Sequence, residues 1–514
     1  MAIARNLENV FRVIPNVIKS QPIRWTSVAS SANKDEVKPF EEIPGPKGLY
    51  NVPFIGSVFH FNPFGNFTPQ TLHKLIDSLH EKYGPVVRVQ LGRKCVLLED
   101  IKDIETVFRN DGNYPMKPGL DIFTIVYERN GFKKALNQVH GEEWYALRTP
   151  ANKKLMKADS AYHYLVPQNA VADDFVNILA TQNLTPEEMK DLFFRYTSES
   201  IALVTFNTRL GFLDYSADQE ASEFLEATKR FFDIIAATLS GKNVSYKWYK
   251  SKVYLDMEKA IFAIRKNSQK HALKAREIIE QQKKDGTLNP EEPNLLLSLV
   301  SEKGLQDEDV SNLLDSLYMA GTDSTAKNLQ VFFYNLAKNP DKQEILRKEI
   351  LEAVGESGVV DVKALSKMSY LKYCLKESFR LNYPTVVGVS RILTKDIVAS
   401  GYNIPAGTVV ILGNQRASKK CFEDPDKFIP ERWMRADDGR KQDNTNSMAV
   451  LPFGHGPRNC IGRRFAVQEI YLATSKVLQK LKIEVEPESW NTDFIYTTFV
   501  DTEKPIRFKF TKIE

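Results

Sequence analysis

Cysteine is scarce in this chain: four in 514 residues, Cys95, Cys374, Cys421 and Cys460, widely separated and with no C-x-x-C pair. That spacing speaks against a disulfide framework and a zinc ribbon, and it suits a reducing compartment. Histidine is sparse as well, seven in all and with no H-E-x-x-H, so a zinc enzyme is not indicated. No internal repeat, low-complexity run or mid-chain linker divides the sequence, and its 42% hydrophobic content can fill a large core. One large globular unit is expected. A broad excess of positive charge is also lacking. The formal net charge is +5, but Arg5, Arg12, Lys19, Arg24 and Lys34 against Glu8 place +4 in residues 1–34, leaving about +1 for the rest. Nucleic-acid binding therefore has no global electrostatic support.

A long apolar run is missing too. A transmembrane anchor needs roughly 18 consecutive apolar residues, and arginines and asparagines interrupt the N-terminal stretch every few positions. Instead, Ile3, Leu7, Val10, Phe11 and Ile14 share one helical face, and TSVASS follows. This arginine-bearing, serine-rich and acid-poor pattern predicts a mitochondrial presequence over residues 1–34, removed between about residue 24 and residue 38. A stiff Pro/Gly-rich lead-in containing PFEEIPGPKG spans 35–48, and the main domain is expected over 49–514.

Within that domain, VVRVQLGRKCVLL (86–98) alternates around Gly92 as a hairpin does. From Ile101 to Leu381 the apolar residues recur at three and four, as in helices. Strand-like runs return over Ile397–Leu412 and Lys482–Phe510. The fold class expected is mainly α with small β-sheets.

Three stretches carry chemistry. In PFGHGPRNCIG, Pro452 to Gly462, three glycines, an arginine and a single cysteine lead directly into a helix-patterned run. Glycines let a backbone approach a flat group closely, and N–H groups at a helix start can tune a sulfur. In SYLKYCLKESFRL, Glu377 and Arg380 are three apart and face the same way. In the acid-led helix containing AGTDST, Leu317, Ala320 and Ser324 fall within about 40° of Leu313, with Asp323 on the flank. Gly321 in mid-helix costs up to about 1 kcal/mol relative to Ala, and the sequence offers no compensating benefit.

FGHGPRNCIG resembles the haem-binding loop of the cytochrome P450 family, F-x-x-G-x-R-x-C-x-G, at every defined position, and the resemblance runs from about Pro44 to the C-terminus. It implies a single large haem-thiolate domain with haem b as cofactor and Cys460 as its axial ligand, a thiolate that favours O–O cleavage. Phe453 and Arg458 belong to the same loop. E-x-x-R, with Arg432 of FIPERW, implies a structural network of Glu377, Arg380 and Arg432. AGTDST is similar to the oxygen-activation motif, implying proton supply from Asp323 and an alcohol at Ser324, where the family more often has Thr; Thr325 is the neighbouring candidate. Trp144 and Arg148 (W-x-x-x-R), Arg391 and Arg458 match the family's haem-carboxylate partners.

Lys372, Lys376, Arg463 and Arg464 resemble the docking residues of the animal mitochondrial branch, with an arthropod-like flavour in IPGPKG and GVSRIL. That branch implies a [2Fe-2S] ferredoxin and NADPH-ferredoxin reductase as partners, dioxygen and a lipophilic, steroid-like substrate. It also implies peripheral contact with the matrix side of the inner mitochondrial membrane, without a transmembrane helix and without nucleic acid. Alternatives on the same fold are an isomerase or peroxygenase needing no external electrons, and an enzyme acting on foreign compounds; a non-enzymatic carrier is a further rival.

Overall fold

Thirty-two consecutive residues, Asp307–Lys338, form the helix on which the architecture is organised. It starts where Gln306 and Asp309 cap each other reciprocally, and Asp307, Glu308 and Asp309 set negative charge against its N-terminal dipole. Its first half, from Val310 to Met319, packs in one hydrophobic core, and its second half, from Ala326 to Ala337, in another. The AGTDST motif lies at the seam.

The structure, a computed structural model, describes residues 37–513 apart from 53–55, 215, 240–243, 290–293, 387–388 and 435–447. The expected presequence, 1–34, lies outside the described residues. From Lys38 onward the chain is one compact unit. The Pro/Gly-rich lead-in is built into it: Lys38 bridges to Tyr402, the Arg88 N–H donates to the Pro44 carbonyl at 2.8 Å, and a Cβ on Gly45 would strike the Arg88 carbonyl oxygen at 2.0 Å.

Six helices position the site: α1 (Gly141–Leu155), α2 (Pro186–Phe206), α3 (Lys252–Lys284), α4 (Asp307–Lys338), α5 (Ser369–Leu381) and α6 (Arg463–Lys480). The start of α2 shows the local logic: Thr185 and Glu188 form a capping box, and Pro186 occupies the first turn, where no N–H is needed. The expected hairpin is present as β1 (Val86–Leu91) and β2 (Arg93–Leu98), with Gly92 at φ 70° in the turn. β3 (Ser390–Ile392) and β6 (Val409–Leu412) complete a four-stranded sheet in the order β1-β2-β6-β3, in which β2 and β6 run parallel. Three two-stranded sheets accompany it: β4 (Ile397–Ala399) with β5 (Tyr402–Ile404), β7 (Leu481–Val485) with β10 (Phe508–Lys512), and β8 (Phe494–Tyr496) with β9 (Val500–Thr502). Among the described residues no helix is long and apolar enough to cross a membrane.

Candidate haem-thiolate site

The loop ahead of α6 folds through two left-handed glycines, Gly454 at φ 71° and Gly456 at φ 73°, a region that other residues rarely enter. The Gly454 N–H donates to the Leu451 carbonyl at 2.9 Å and the Asn459 N–H to the Gly456 carbonyl at 3.0 Å. The Cys460 N–H closes back on the Phe453 carbonyl at 2.8 Å, and the Phe453 ring stands edge-on to Phe379, 5.5 Å between centroids. Cys460 is solvent-accessible by area yet ringed by protein, the condition of a side chain facing an internal hollow. Burial pushes its thiol pKa up; the Gly462 N–H, Arg148, Lys117 and Arg463 pull it back towards the thiolate.

Three arginines and a lysine form a cluster that reaches this sulfur through Arg148 and Lys117. Arg148, 6% exposed, donates to Asn152 Oδ1 at 2.6 Å and to the Asn459 carbonyl at 2.7 Å. Arg458 donates to the Pro115 and Val139 carbonyls and lies over the Trp144 ring, 4.3 Å from its centroid. Burial lowers both guanidinium pKa values to about 10. Lys117 is lowered to about 8 by burial, then by Arg391 and Arg458. It belongs to none of the motifs read from the sequence, which is why it was missed. Arg391 differs from the other three: both oxygens of buried Asp111 accept from its Nε, at 2.9 and 2.7 Å. Among the described residues it is the one of these four cations with a carboxylate within ion-pair distance. The surplus of buried, unneutralised cations beside a lone thiol calls for an anionic partner carrying carboxylates. Haem fits that donor set, with Cys460 on its metal and Arg148, Arg458, Lys117 and Arg391 available to its propionates.

On α4, Ala320 is exposed in the middle of an otherwise buried helix, and Ser324 is half-buried beside it. Leu313 and Leu317, expected on the same apolar stripe, are packed into the core. The Ser324 hydroxyl donates to the Ala320 carbonyl at 2.6 Å. Thr325 is buried, and its hydroxyl finds no partner among the described residues. Gly321 does have a structural reason, against the reading from sequence: an added Cβ would sit 2.8 Å from Ile201 Cγ1 of α2. Asp323 is 6% exposed, and its Oδ2 accepts from Lys327 Nζ at 2.9 Å. Lys327 also donates to Thr497 Oγ1 at 2.9 Å and lies 3.4 Å from Asp501, which pairs with Lys190 at 2.8 Å. The i,i+4 spacing of Asp323 and Lys327 was visible in the sequence; Asp501 and Lys190 were not connected to them by any pattern.

Glu377 is fully buried and accepts five hydrogen bonds, each at 2.9 Å: two from Arg380, one from Arg432, one from the Ile429 N–H and one from the Trp433 indole. The three motif residues meet as expected, and Ile429 and Trp433 join them. The basic residues expected to dock a partner divide. Lys372 and Arg463 are exposed, whereas Arg464 donates to the Met156 carbonyl at 3.2 Å and Lys376 Nζ lies 3.8 Å from the Trp433 ring centroid.

A lone cysteine on a glycine-turned loop, backed by an N–H and surrounded by buried cations on a mainly helical fold, defines a haem-thiolate protein. The family model for cytochrome P450 matches residues 46–510, and the chain belongs to the cytochrome P450 family, the haem-dependent monooxygenases. It is 31% identical to "Probable cytochrome P450 12a5, mitochondrial" of Drosophila melanogaster, over 98% of this chain and 99% of that one. Identity is 27% to "Probable cytochrome P450 301a1, mitochondrial" of the same organism, over 97% and 92%. It is 28% to "Sterol 26-hydroxylase, mitochondrial" of Oryctolagus cuniculus, over 90% and 88%.

Proposed function

We propose that this monooxygenase works in the mitochondrion and hydroxylates a lipophilic, steroid-like substrate with dioxygen. Its electrons come from NADPH through ferredoxin reductase and a [2Fe-2S] ferredoxin. The observation that carries the reading is likeness along nearly the whole chain to P450s named mitochondrial, one of them named a sterol hydroxylase. Residues 1–34 serve as the presequence, 35–48 as the lead-in and 49–514 as the catalytic domain. Exposed Trp248, Tyr249 and Leu255, interspersed with Lys250 and Lys252, suit a surface that rests on the matrix side of the inner membrane.

Haem, when bound, supplies the activation of dioxygen needed to oxidise a C–H bond. The chain's own residues do the rest. Cys460 holds the metal as thiolate, favoured by the Gly462 N–H and the cations nearby. Arg148, Arg391 and Arg458, with Trp144 beneath Arg458, hold the carboxylates; Phe453 braces the loop. Asp323 supplies protons and Ser324 passes them on from its half-exposed position, with Thr325 turned into the packing. Lys372 leads ferredoxin docking, helped by Arg463, with Lys376 and Arg464 in supporting places.

The test is reconstitution of the purified holoenzyme with ferredoxin reductase, ferredoxin, NADPH and cholesterol. Hydroxylated product that requires ferredoxin is expected. Turnover supported by peroxide but never by ferredoxin would overturn the electron route. Cys460→Ser is expected to abolish the thiolate-type absorption of the reduced carbon monoxide complex, while Ser at Cys95, Cys374 or Cys421 leaves it intact.

A further inference from the structure

Lys327 occupies a place that one ammonium group rarely fills. It stands one turn beyond Asp323 on α4, and its Nζ reaches three groups on two elements. These are Asp323 Oδ2 at 2.9 Å, Thr497 Oγ1 at 2.9 Å and Asp501 Oδ2 at 3.4 Å. Thr497 opens the turn between β8 and β9, and Asp501 lies on β9. That turn is half-buried, and it is fastened at one side to the segment after α5, where the Val500 N–H donates to the Pro384 carbonyl at 2.8 Å. Asp501 has a second cation in Lys190 of α2, at 2.8 Å, so Lys327 is not its sole ion-pair partner. Asp323 has no such alternative: Lys327 is its one ion-pair partner among the described residues.

We infer that Lys327 is a positioning residue that holds the Asp323 carboxylate while the β8–β9 turn is in place and withdraws towards Asp501 when a substrate displaces the turn, so that proton supply follows substrate occupancy. This rests on the reading of Asp323 as proton supplier. The asymmetry between the two acids gives the device its direction. Paired with an ammonium, a carboxylate is only an acceptor. Burial pushes the Asp323 pKa up, and Lys327 is the main influence holding it down. When Lys327 withdraws, Asp323 takes up a proton and becomes a donor beside Ser324. Asp501, kept low by Lys327 and Lys190 together against its own burial, can share its second lysine without protonating. The link to the turn is the Thr497 hydroxyl, which has no role in neutralising either acid.

The test uses the holoenzyme reduced with dithionite and mixed with air, which bypasses any redox partner. Without substrate, Lys327→Met is expected to be reoxidised about three- to tenfold faster than the parent, because a rise of one pKa unit multiplies the protonated fraction of a carboxyl up to tenfold. Lys327→Arg should behave as the parent. Thr497→Val, which keeps both ion pairs, should shift the rate in the same direction by less and guards against a Lys327→Met protein that does not fold. Placing Lys327→Met in an Asp323→Asn background should abolish the acceleration; if it persists, Lys327 does not act through Asp323 and the inference fails.

Hydrogen exchange offers a second readout. With 4-phenylimidazole as ligand, residues 494–502 should change protection in the parent and be exchanged faster from the outset in Lys327→Met; identical protection in all states overturns the inference. The two readings separate cleanly. An Asp323→Asn enzyme with unchanged turnover and solvent isotope effect removes Asp323 as proton supplier. A damaged Asp323→Asn enzyme alongside a parent-like Lys327→Met leaves that supplier in place and removes the coupling.

Discussion

Two buried sets of charges flank the site, and they are built on opposite terms. Around Glu377 every bonding direction is answered: one carboxylate takes five donors, and Arg380 and Arg432 spend their remaining N–H groups on the Pro425, Lys427, Glu423 and Asp424 carbonyls. Along α4 the acids are under-answered. Asp323 shares a lysine with another carboxylate, and fully buried Asp315 has no ion-pair partner among the described residues, only Ser268 and a more distant Arg265 to offset its burial. A saturated cluster has one arrangement and acts as a rivet. An unsaturated one has alternatives of similar energy, which is what a group that must change protonation requires.

The largest expected effect tests the rivet. Glu377→Ala leaves two buried guanidinium groups without their carboxylate and should cost about 3–5 kcal/mol, because an uncompensated buried charge is what makes a broken ion pair expensive. The measurement is the fraction of protein retaining haem and its thermal midpoint; a folded, haem-loaded Glu377→Ala enzyme would dissolve the contrast.

Asp315 tests the other side through pH. Burial raises its pKa to about 7, with Ser268 and Arg265 restraining the rise. The native protein therefore keeps a proton that the unfolded chain releases above about pH 4, so stability falls as pH climbs from about 4 to about 7. Asp315→Asn should flatten that slope in denaturation midpoints measured across the window, whereas a matching slope in both proteins would mean that Asp315 is ionised in the fold.

Gly321→Ala sets a helix-propensity gain of up to about 1 kcal/mol against a clash with Ile201 that costs about 1–3 kcal/mol. Net destabilisation is expected, relieved when Ile201→Val is added. A simple gain in stability would return Gly321 to an unexplained residue.

The smallest effects separate two lysines that one motif joins. Lys376→Gln loses a cation–π contact with Trp433 and should lower stability by about 0.5–2 kcal/mol. Lys372→Gln should leave stability unchanged while weakening ferredoxin-supported turnover and flattening its dependence on ionic strength. Equal stability losses would show that Lys376 is as free as Lys372.

Much of the site was legible beforehand because it is local. Cys460, Arg458, Phe453 and the glycines lie within ten residues; Glu377 with Arg380 and Trp144 with Arg148 are one helical turn apart. Spacing on a helix or a turn dictates a shared face whatever the rest of the fold does. Residues recruited across long separations were not legible: Lys117 near the sulfur, Asp111 on Arg391, and Asp501 and Lys190 at Lys327 belong to no short pattern.

The sequence by itself determined the class of the protein, because its cysteine loop resembles the haem-binding loop of the cytochrome P450 family at every defined position. A single cysteine in a glycine-turned loop, an amphipathic helical body and a β-hairpin at Gly92 are consequences of backbone freedom and apolar periodicity, which act over a few residues. Tertiary structure decided what no motif connects. Glu377 collects the Ile429 N–H and the Trp433 indole beyond its motif arginines, Gly321 is required by a side chain 120 positions away, and Lys327 is placed between two acids that approach only once β8 and β9 pack on α4. The physical reason is common to all three. Burial and ion pairing depend on what surrounds a group in space, and that is set by how distant segments pack.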